Sequence, residues 1–439
     1  MVIPRHGARE AKHADKVGVR MTERESAPAG GTENPEAATS PRGVSKAVSW
    51  GAFFTTYFPA FLLALGTGIV LPAIPAMAQS FDVSFGVAST VVTSFLIGNL
   101  AGTLPSGWMI DRFGRRMVII TGPLIAATAS LAIVFAESFT QLVILRFVAG
   151  FAAQMWLMGR LAAISHGAAA SERGRQVSWL YGMDSVGKLS GPLVGAFIAT
   201  SWGLRGGFVV YAVLALIALI PTILYAEDTP RHARNETSAT VRKLSLWEIV
   251  VPRLPYFGVA LFAGLARGPI YADLLHLYAA FAYNLGPAQI GFLATGAIVV
   301  NMPIALAAGW MMDRFGRKHT MVPGFTGVAV AMTALAICAF IPLSYSWYVV
   351  LFFFASAMQG LTGSSIQTVG ADVAPPEARG MFLGLWRLTG QGGATIGPII
   401  FAVLAETLGY TSSFLFTAAA GTVVAFLLIF YVAETRTTT

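Results

Sequence analysis

Asp184 and Lys188 stand four residues apart in the run Tyr181-Gly-Met-Asp184-Ser-Val-Gly-Lys188-Leu-Ser-Gly191. Four residues is about one helical turn, so acid and base share a face and can pair. Arg267 and Asp273 sit six apart in a second apolar run, with His276 one turn further on, and Arg146 lies in a third. Nothing here assembles a catalytic set. The six histidines are scattered, His-Glu-x-x-His is absent, and no Ser/His/Asp group gathers at one depth. There is also no Gly-x-x-x-x-Gly-Lys-Ser/Thr loop for a nucleotide. What isolated acids and cations inside apolar runs can do is hold a proton or a charged group and release it. The expectation is a protein that is not an enzyme and uses no cofactor or metal.

The elements carrying these charges are set by composition. Of 439 residues, 55% are hydrophobic and 11% charged, against about 25% charged in a soluble chain. Twelve apolar stretches occur, near 53–77, 87–110, 116–136, 139–164, 177–201, 206–226, 255–282, 288–312, 319–342, 346–370, 381–405 and 411–433. Each has the length of a membrane helix, about 20 residues. They are too long for barrel strands and do not alternate in polarity. A charge within such a span is costly and marks a site. The lone cysteine, Cys338, excludes an intrachain disulfide.

Between spans, the basic residues gather on one side. Lys46, Arg112, Arg115, Arg116, Arg173, Arg175, Arg231, Arg234, Arg242, Lys243, Arg253, Arg314, Arg317, Lys318, Arg379 and Arg436 share it; Arg205 alone falls opposite. The positive-inside rule makes the rich side cytoplasmic. The predicted location is a plasma membrane, bacterial inner membrane in type, with both termini in the cytoplasm. The net charge of +8 suits anionic headgroups, so the lipid bilayer is a partner and nucleic acid is not.

One segment occurs twice. Gly107-Trp-Met-Ile-Asp111-Arg112-Phe-Gly114-Arg115-Arg116 returns as Gly309-Trp-Met-Met-Asp313-Arg314-Phe-Gly316-Arg317-Lys318. Further on, Arg173-Gly174 recurs as Arg379-Gly380, and Gly187-x-x-x-Gly191-Pro192 as Gly393-x-x-x-Gly397-Pro398. Collinear repeats mean two halves on one plan. The predicted organisation is a disordered tail at 1–46, a six-helix half at 47–226, a linker at 227–254, a second half at 255–433 and a short tail at 434–439. A surface helix is expected near Leu244–Val251. The fold class is all-α: twelve transmembrane helices in two pseudo-symmetric six-helix halves.

On these motifs the chain resembles the major facilitator superfamily over residues 47–434. Within it, Gly66-Thr-Gly68-Ile-Val-Leu-Pro72-Ala-Ile-Pro75, Leu145-Arg146 with Gly150, and Gly187-Lys-Leu-Ser-Gly191-Pro192 are similar to the twelve-span drug:proton antiporters. Asp228-Thr-Pro-Arg231 and Glu434-Thr-Arg436 bear a faint resemblance to sugar porters, and spans 1 and 4 lack the carboxylate that several drug antiporters keep. The resemblance implies a monomeric carrier with a central cavity, moving a small molecule by alternating access and probing each side in turn. It also implies that Asp111 and Asp313, with Arg112, Arg115, Arg314 and Arg317, latch the halves on the cytoplasmic side. Gly107 and Gly309 would allow close approach there, Gly114 and Gly316 belong to the same latch motif, and each aspartate would face a helix N-terminus. Pro192 and Pro398 are expected to bend their helices.

Candidate substrate and proton groups are Arg146, Asp184, Lys188, Arg267 and Asp273, with a polar layer of Asn99, Gln154, Asn301, Gln359 and Gln391. Trp156, Tyr181, Tyr271 and Trp386 are placed to line that layer. Asp273, with no cation within a turn, is expected to carry the proton; Arg146 is expected to displace it, with Asp184 as the second choice. Arg160 and Arg387 are read as snorkelling from inner span ends, and Glu137 and Glu406 as ordinary outer-end residues. The functional expectation is proton-coupled export of an amphipathic compound. The alternative is symport or exchange of an organic anion or sugar-like metabolite, which the surplus of mid-span cations favours.

Overall fold

A chain surrounded by lipid must satisfy its backbone within each segment, which leaves the helix as the local solution for these apolar runs. The computed structural model describes residues 53–167, 170–225, 246–341, 343–363, 365–375 and 378–434, and no strand occurs among them. The expected N-terminal tail, most of the linker and the last five residues lie outside the described residues. The expected surface helix is present as a short helix, Leu246–Val250, followed by a 3-10 turn, Val251–Arg253.

Spans 1 to 6 are Phe53–Gln79, Phe85–Phe113, Arg115–Val134, Phe139–Gly167, Ala170–Ser201 and Gly206–Tyr225. Span 7 is the pair Leu254–Tyr271 and Leu274–Tyr283, and span 8 is Pro287–Phe315. Span 9 is Lys318–Phe340, and span 10 is the pair Tyr345–Thr362 and Ser365–Val373. Spans 11 and 12 are Arg379–Leu408 and Tyr410–Phe430. Among the described residues, 10 helices are long and apolar enough to cross a membrane, or 11 with span 7 as one bent crossing. The remaining pass is span 5, a 32-residue helix whose charges and glycines depress its hydropathy.

Spans 1 to 6 pack on one another, and so do spans 7 to 12. The two sets meet through spans 2 and 11, spans 5 and 8, and the outer turns of spans 1 and 7. Within each set the Gly-x-x-x-Gly-Pro motif sits at a close crossing, of spans 1 and 5 in the first and of spans 7 and 11 in the second. A Cβ built on Gly191 of span 5 would stand 2.6 Å from the Gly68 Cα of span 1. In the second set, a Cβ on Gly268 of span 7 would meet Pro398 of span 11 at 2.8 Å. Small residues let these backbones touch, and packing replaces the hydrophobic effect as the cohesive term inside lipid.

Span 7 differs from the continuous helix the sequence suggests. It breaks at Ala272–Asp273 with a bend of 44°, and Asp273 adopts the left-handed conformation, φ 56°. Span 10 leaves the helix at Gly363, after Thr362, with Gly363 itself right-handed and without a bend of that size.

Candidate functional site

A cavity of about 600 Å³ lies between the two sets of helices. Its wall is largely apolar, with Phe95, Trp156, Tyr211 and Phe352 among the large side chains. Arg146, Asp184, Lys188, Asp273, His276, Asn99, Asn301 and Gln359 interrupt that surface. Residues from both halves therefore share one chamber, although some lie more than 150 positions apart in the chain.

Asp184 and Lys188 form the pair that their spacing predicts, at 2.7 Å, with 32% and 52% of their side chains exposed to the cavity. Arg146 is buried; its guanidinium lies 4.6 Å from the Phe95 ring centroid and its Nε donates to the Val91 carbonyl at 3.5 Å. Asp273 lines the same cavity as Arg146 and Lys188. No ion pair within 4.0 Å joins it to either among the described residues. Its nearest titratable neighbour is His276, whose Nδ1 lies 3.3 Å from Oδ1. Asn301 donates to the Ser356 carbonyl at 2.9 Å, fixing span 8 against span 10.

Three expected site residues fall elsewhere. Arg267 does not line the cavity. It donates to the Tyr271 hydroxyl and to the Gly363 carbonyl at 3.4 Å, so it braces the interruption in span 10. Gln154 donates to Thr103 at 3.1 Å between spans 4 and 2. Gln391 is likewise absent from the wall. Of the aromatic residues, Trp156 and Tyr271 reach the cavity, whereas Trp386 is buried and donates to the Ile366 carbonyl. Tyr211, in the second turn of span 6, is a wall residue that the sequence reading did not single out.

The halves close at the end opposite the Asp-Arg-Phe-Gly loops. There the Gly86 N–H donates to Glu406 Oε2 at 2.9 Å, and Gln79 Nε2 to the Ala280 carbonyl at 3.0 Å. Phe85 packs edge-on against Phe281 and Tyr410, each within 6 Å between ring centroids. Aromatic pairs of this kind are worth about 0.5–1.5 kcal/mol each beyond their area. Glu406 is thus a joint between halves, not an ordinary end residue.

At the loop-bearing end the arrangement is looser. A Cβ on Gly107 or Gly309 would meet nothing within 4 Å, so the expected close approach is not made in this conformation. Gly114 and Gly316 are needed for another reason: both have positive φ, 88° and 101°, where spans 2 and 8 stop. Arg112 and Arg314 lie beside Trp108 and Trp310 respectively, 5.9 and 5.4 Å from the ring centroids. Asp111 is exposed and has no hydrogen-bond or ion-pair partner among the described residues. Asp313 pairs with Arg317 at 3.2 Å, and Arg317 also donates to Asp372 at 3.2 Å.

The carboxylate at a helix N-terminus is not Asp313. It is Glu434, which accepts from the Arg317 and Lys318 N–H groups at 2.8 and 3.1 Å where span 9 begins. Those N–H groups lack intrahelical partners, so the C-terminal acid satisfies them. Arg160 also departs from expectation. It is 3% exposed and donates to Thr222 at 2.7 Å instead of reaching towards water. No group of three or more His, Cys, Asp or Glu that could hold a metal ion occurs among the described residues.

Known proteins show the same plan. The tetracycline resistance protein, class B, of Escherichia coli is 24% identical over 78% of this chain and 85% of its own length. The multidrug resistance protein MdtG of Enterobacter lignolyticus is 26% identical over 84% of this chain and 90% of its own. The crystal structure of a D-xylose-proton symporter superposes with a TM-score of 0.73, at 18% identity, over 89% of this chain and 99% of that one. The Major Facilitator Superfamily profile matches residues 56–277 and again 256–439, one match for each half. With duplicated halves around a shared cavity and a profile match across both, the chain belongs to the Major Facilitator Superfamily.

Proposed function

We propose that this chain exports amphipathic small molecules in exchange for protons. The carrying observation is the balance of charge in the cavity. With Arg267 outside the wall, two cations, Arg146 and Lys188, face two acids, Asp184 and Asp273. Lys188 is already paired, so the surplus of positive charge that would favour an organic anion is gone. An apolar, aromatic wall with a few polar groups suits a compound with an apolar body. The resistance proteins among the relatives support the same reading.

The orientation follows the basic residues: the Asp-Arg-Phe-Gly loops and both termini are cytoplasmic. The closed end then faces outward and this conformation opens to the cytoplasm. In the opposite conformation Asp111 and Asp313 latch the inner ends. Asp273 carries the proton, since it faces the cavity with 40% of its side chain exposed and, among the described residues, has no Lys or Arg within 4.0 Å. Arg146 and Lys188 line the same cavity from the other half.

The test uses purified protein in liposomes with an imposed pH gradient and a panel headed by ethidium and tetracycline. Gradient-driven accumulation that a protonophore abolishes is expected. Movement of none of the panel, or movement indifferent to the gradient, overturns the reading.

A further inference from the structure

Two costs meet at the break in span 7. Asp273 holds φ 56° and ψ 18°, and its side chain makes no capping bond to the helix it precedes. A left-handed conformation is strained for a non-glycine residue, although aspartate is among the residues that visit it. One turn on, His276 is 6% exposed, and neither ring nitrogen has a hydrogen-bond partner. Its ring stands edge-on to Phe352, 5.1 Å between centroids. A buried polar group left unpaired is costly and calls for a reason. The 3.3 Å between His276 Nδ1 and Asp273 Oδ1 is close enough for a hydrogen bond, but the angles do not make one. A small rotation of either side chain would form it.

We propose that His276 is the positioning residue of the proton site: it shares one proton with Asp273, and loading or emptying this pair sets the bend of span 7. With the proton bound, it lies between Nδ1 and Oδ1 and satisfies those two atoms, Nε2 being the atom left without a partner. When it leaves to water through the cavity, the neutral imidazole keeps its one N–H on Nε2, Nδ1 and Oδ1 meet as two acceptors that cannot bond, and the carboxylate faces the cations of the other half. The conformation described above is that second arrangement. Strain at a helix break is suited to such a device, because the two arrangements differ by a few torsions.

The groups facing the pair are few. Span 4 presents Arg146, span 5 presents Asp184 and Lys188, and span 6 presents Tyr211. Tyr271 lines the same chamber on span 7 itself, with Arg267 behind it. Tyr348 of span 10 donates to the Leu275 carbonyl beside the pair, and Tyr278, on the same short helix, packs against Tyr348 and Tyr410. Spans 2 and 8 carry their charged residues at the far, loop-bearing end, and the outer turn of span 1 carries none. Among them, histidine is the side chain that ordinarily changes charge between pH 5 and 8.

This inference rests on Asp273 as the coupling group, but its test needs no substrate. Cys338 is replaced by Ala, and spin labels are placed at Leu224→Cys and Leu254→Cys, exposed positions of opposite halves at the loop-bearing end. Electron–electron distances are then measured in lipid nanodiscs from pH 5 to 9. The parent protein should redistribute between a long and a short distance with a defined midpoint. His276→Phe keeps an aromatic ring against Phe352 but cannot bond; it should move the midpoint by at least 1 pH unit or abolish the shift. His276→Gln retains a donor and should restore the amplitude with a displaced midpoint. It carries the test by the same criterion if the Phe variant does not fold. Asp273→Asn should flatten the curve. A parent distribution indifferent to pH, or a His276 variant whose curve overlays the parent's, overturns the proposal. If Asp273→Asn loses transport while the His276 curves are unchanged, the transport reading stands and this inference falls.

Discussion

Glu406 of span 11 accepts a hydrogen bond from the Gly86 N–H of span 2 at 2.9 Å, across 320 residues of sequence. Gly86 lies in the first turn of span 2, after its Ser84 cap, so an acid of one half sits on the positive helix end of the other. A Cβ on Gly86 would stand 2.6 Å from Glu406 Oε2, which explains the glycine. An exposed charge at a helix terminus is worth about 0.3–1 kcal/mol. Glu406→Ala should therefore shift the balance towards outward opening by about two- to fivefold. Accessibility of a cysteine placed at Gln79 to an external thiol reagent reads that shift. Gly86→Ala should shift it in the same direction. Unchanged labelling in both variants would show that the aromatic cluster alone closes this end.

The Asp184–Lys188 pair offers a charge test. Both side chains face the cavity, so solvent screening keeps the pair near about 1 kcal/mol. Lys188→Met leaves an unpaired carboxylate beside the substrate path and should lower transport about fivefold or more. The exchanged double variant Asp184→Lys with Lys188→Asp keeps a pair on the same face. Recovery in that variant means that the pair serves structure; continued loss means that the position of each charge matters to transport.

Glu434 predicts a stability effect confined to the loop-bearing end. Glu434→Gln removes the anionic cap from span 9 and should cost about 0.3–1 kcal/mol. For a unit the size of one half, that is a fall in unfolding temperature of about 1–4 °C. Gly316→Ala should cost more. It places a side chain at φ 101° and drives a Cβ to 2.8 Å from the same carboxylate. Thermal unfolding in detergent, followed by tryptophan fluorescence, checks both. Equal stability of Gly316→Ala and the parent would contradict the geometry.

Asp111 is the residue whose importance this conformation leaves least visible. It is exposed, with no partner among the described residues, so Asp111→Asn should leave unfolding temperature unchanged. The proposed latch forms in the opposite conformation, so transport should nevertheless fall about tenfold. Near-normal transport in both Asp111→Asn and Asp313→Asn would leave these loops with the topological role alone.

What could be read in advance follows from how local each relationship is. Asp184 and Lys188 pair within one helical turn, and periodicity alone gives that. The repeated loop and the Gly-x-x-x-Gly-Pro motifs gave two halves, because each copy builds the same short piece of backbone. Arg267 was misplaced because its depth says nothing of the side it faces. Arg160 was misplaced because depth does not say whether a long side chain turns inward. Gly268-Pro269, just before the break, was the available signal that span 7 is not one straight helix: proline removes a backbone donor and forces a local rearrangement. Glu406 and Glu434 were missed for another reason. Their partners are backbone N–H groups over 100 residues away, and no spacing rule records such a contact.

Asp273→Asn is the decisive variant for coupling. The substitution keeps the shape of the side chain and, since asparagine also tolerates the left-handed region, keeps the break in span 7. It removes the exchangeable proton. A carrier that couples through this group should then bind its substrate and exchange it between equal pools at either face. It should fail to concentrate the substrate against a gradient, because no proton returns through the site. Binding is read by thermal stabilisation with the panel compound that the parent transports, since a ligand of the folded state raises apparent stability. Coupling is read by accumulation in liposomes with an acid interior. The expected result is preserved stabilisation with accumulation reduced to the level without a gradient. If accumulation survives, Asp273 is not the carrier and Asp184, already held 2.7 Å from Lys188, becomes the group to replace. If stabilisation is lost as well, Asp273 belongs to the substrate site, and its carboxylate binds the compound in place of the proton.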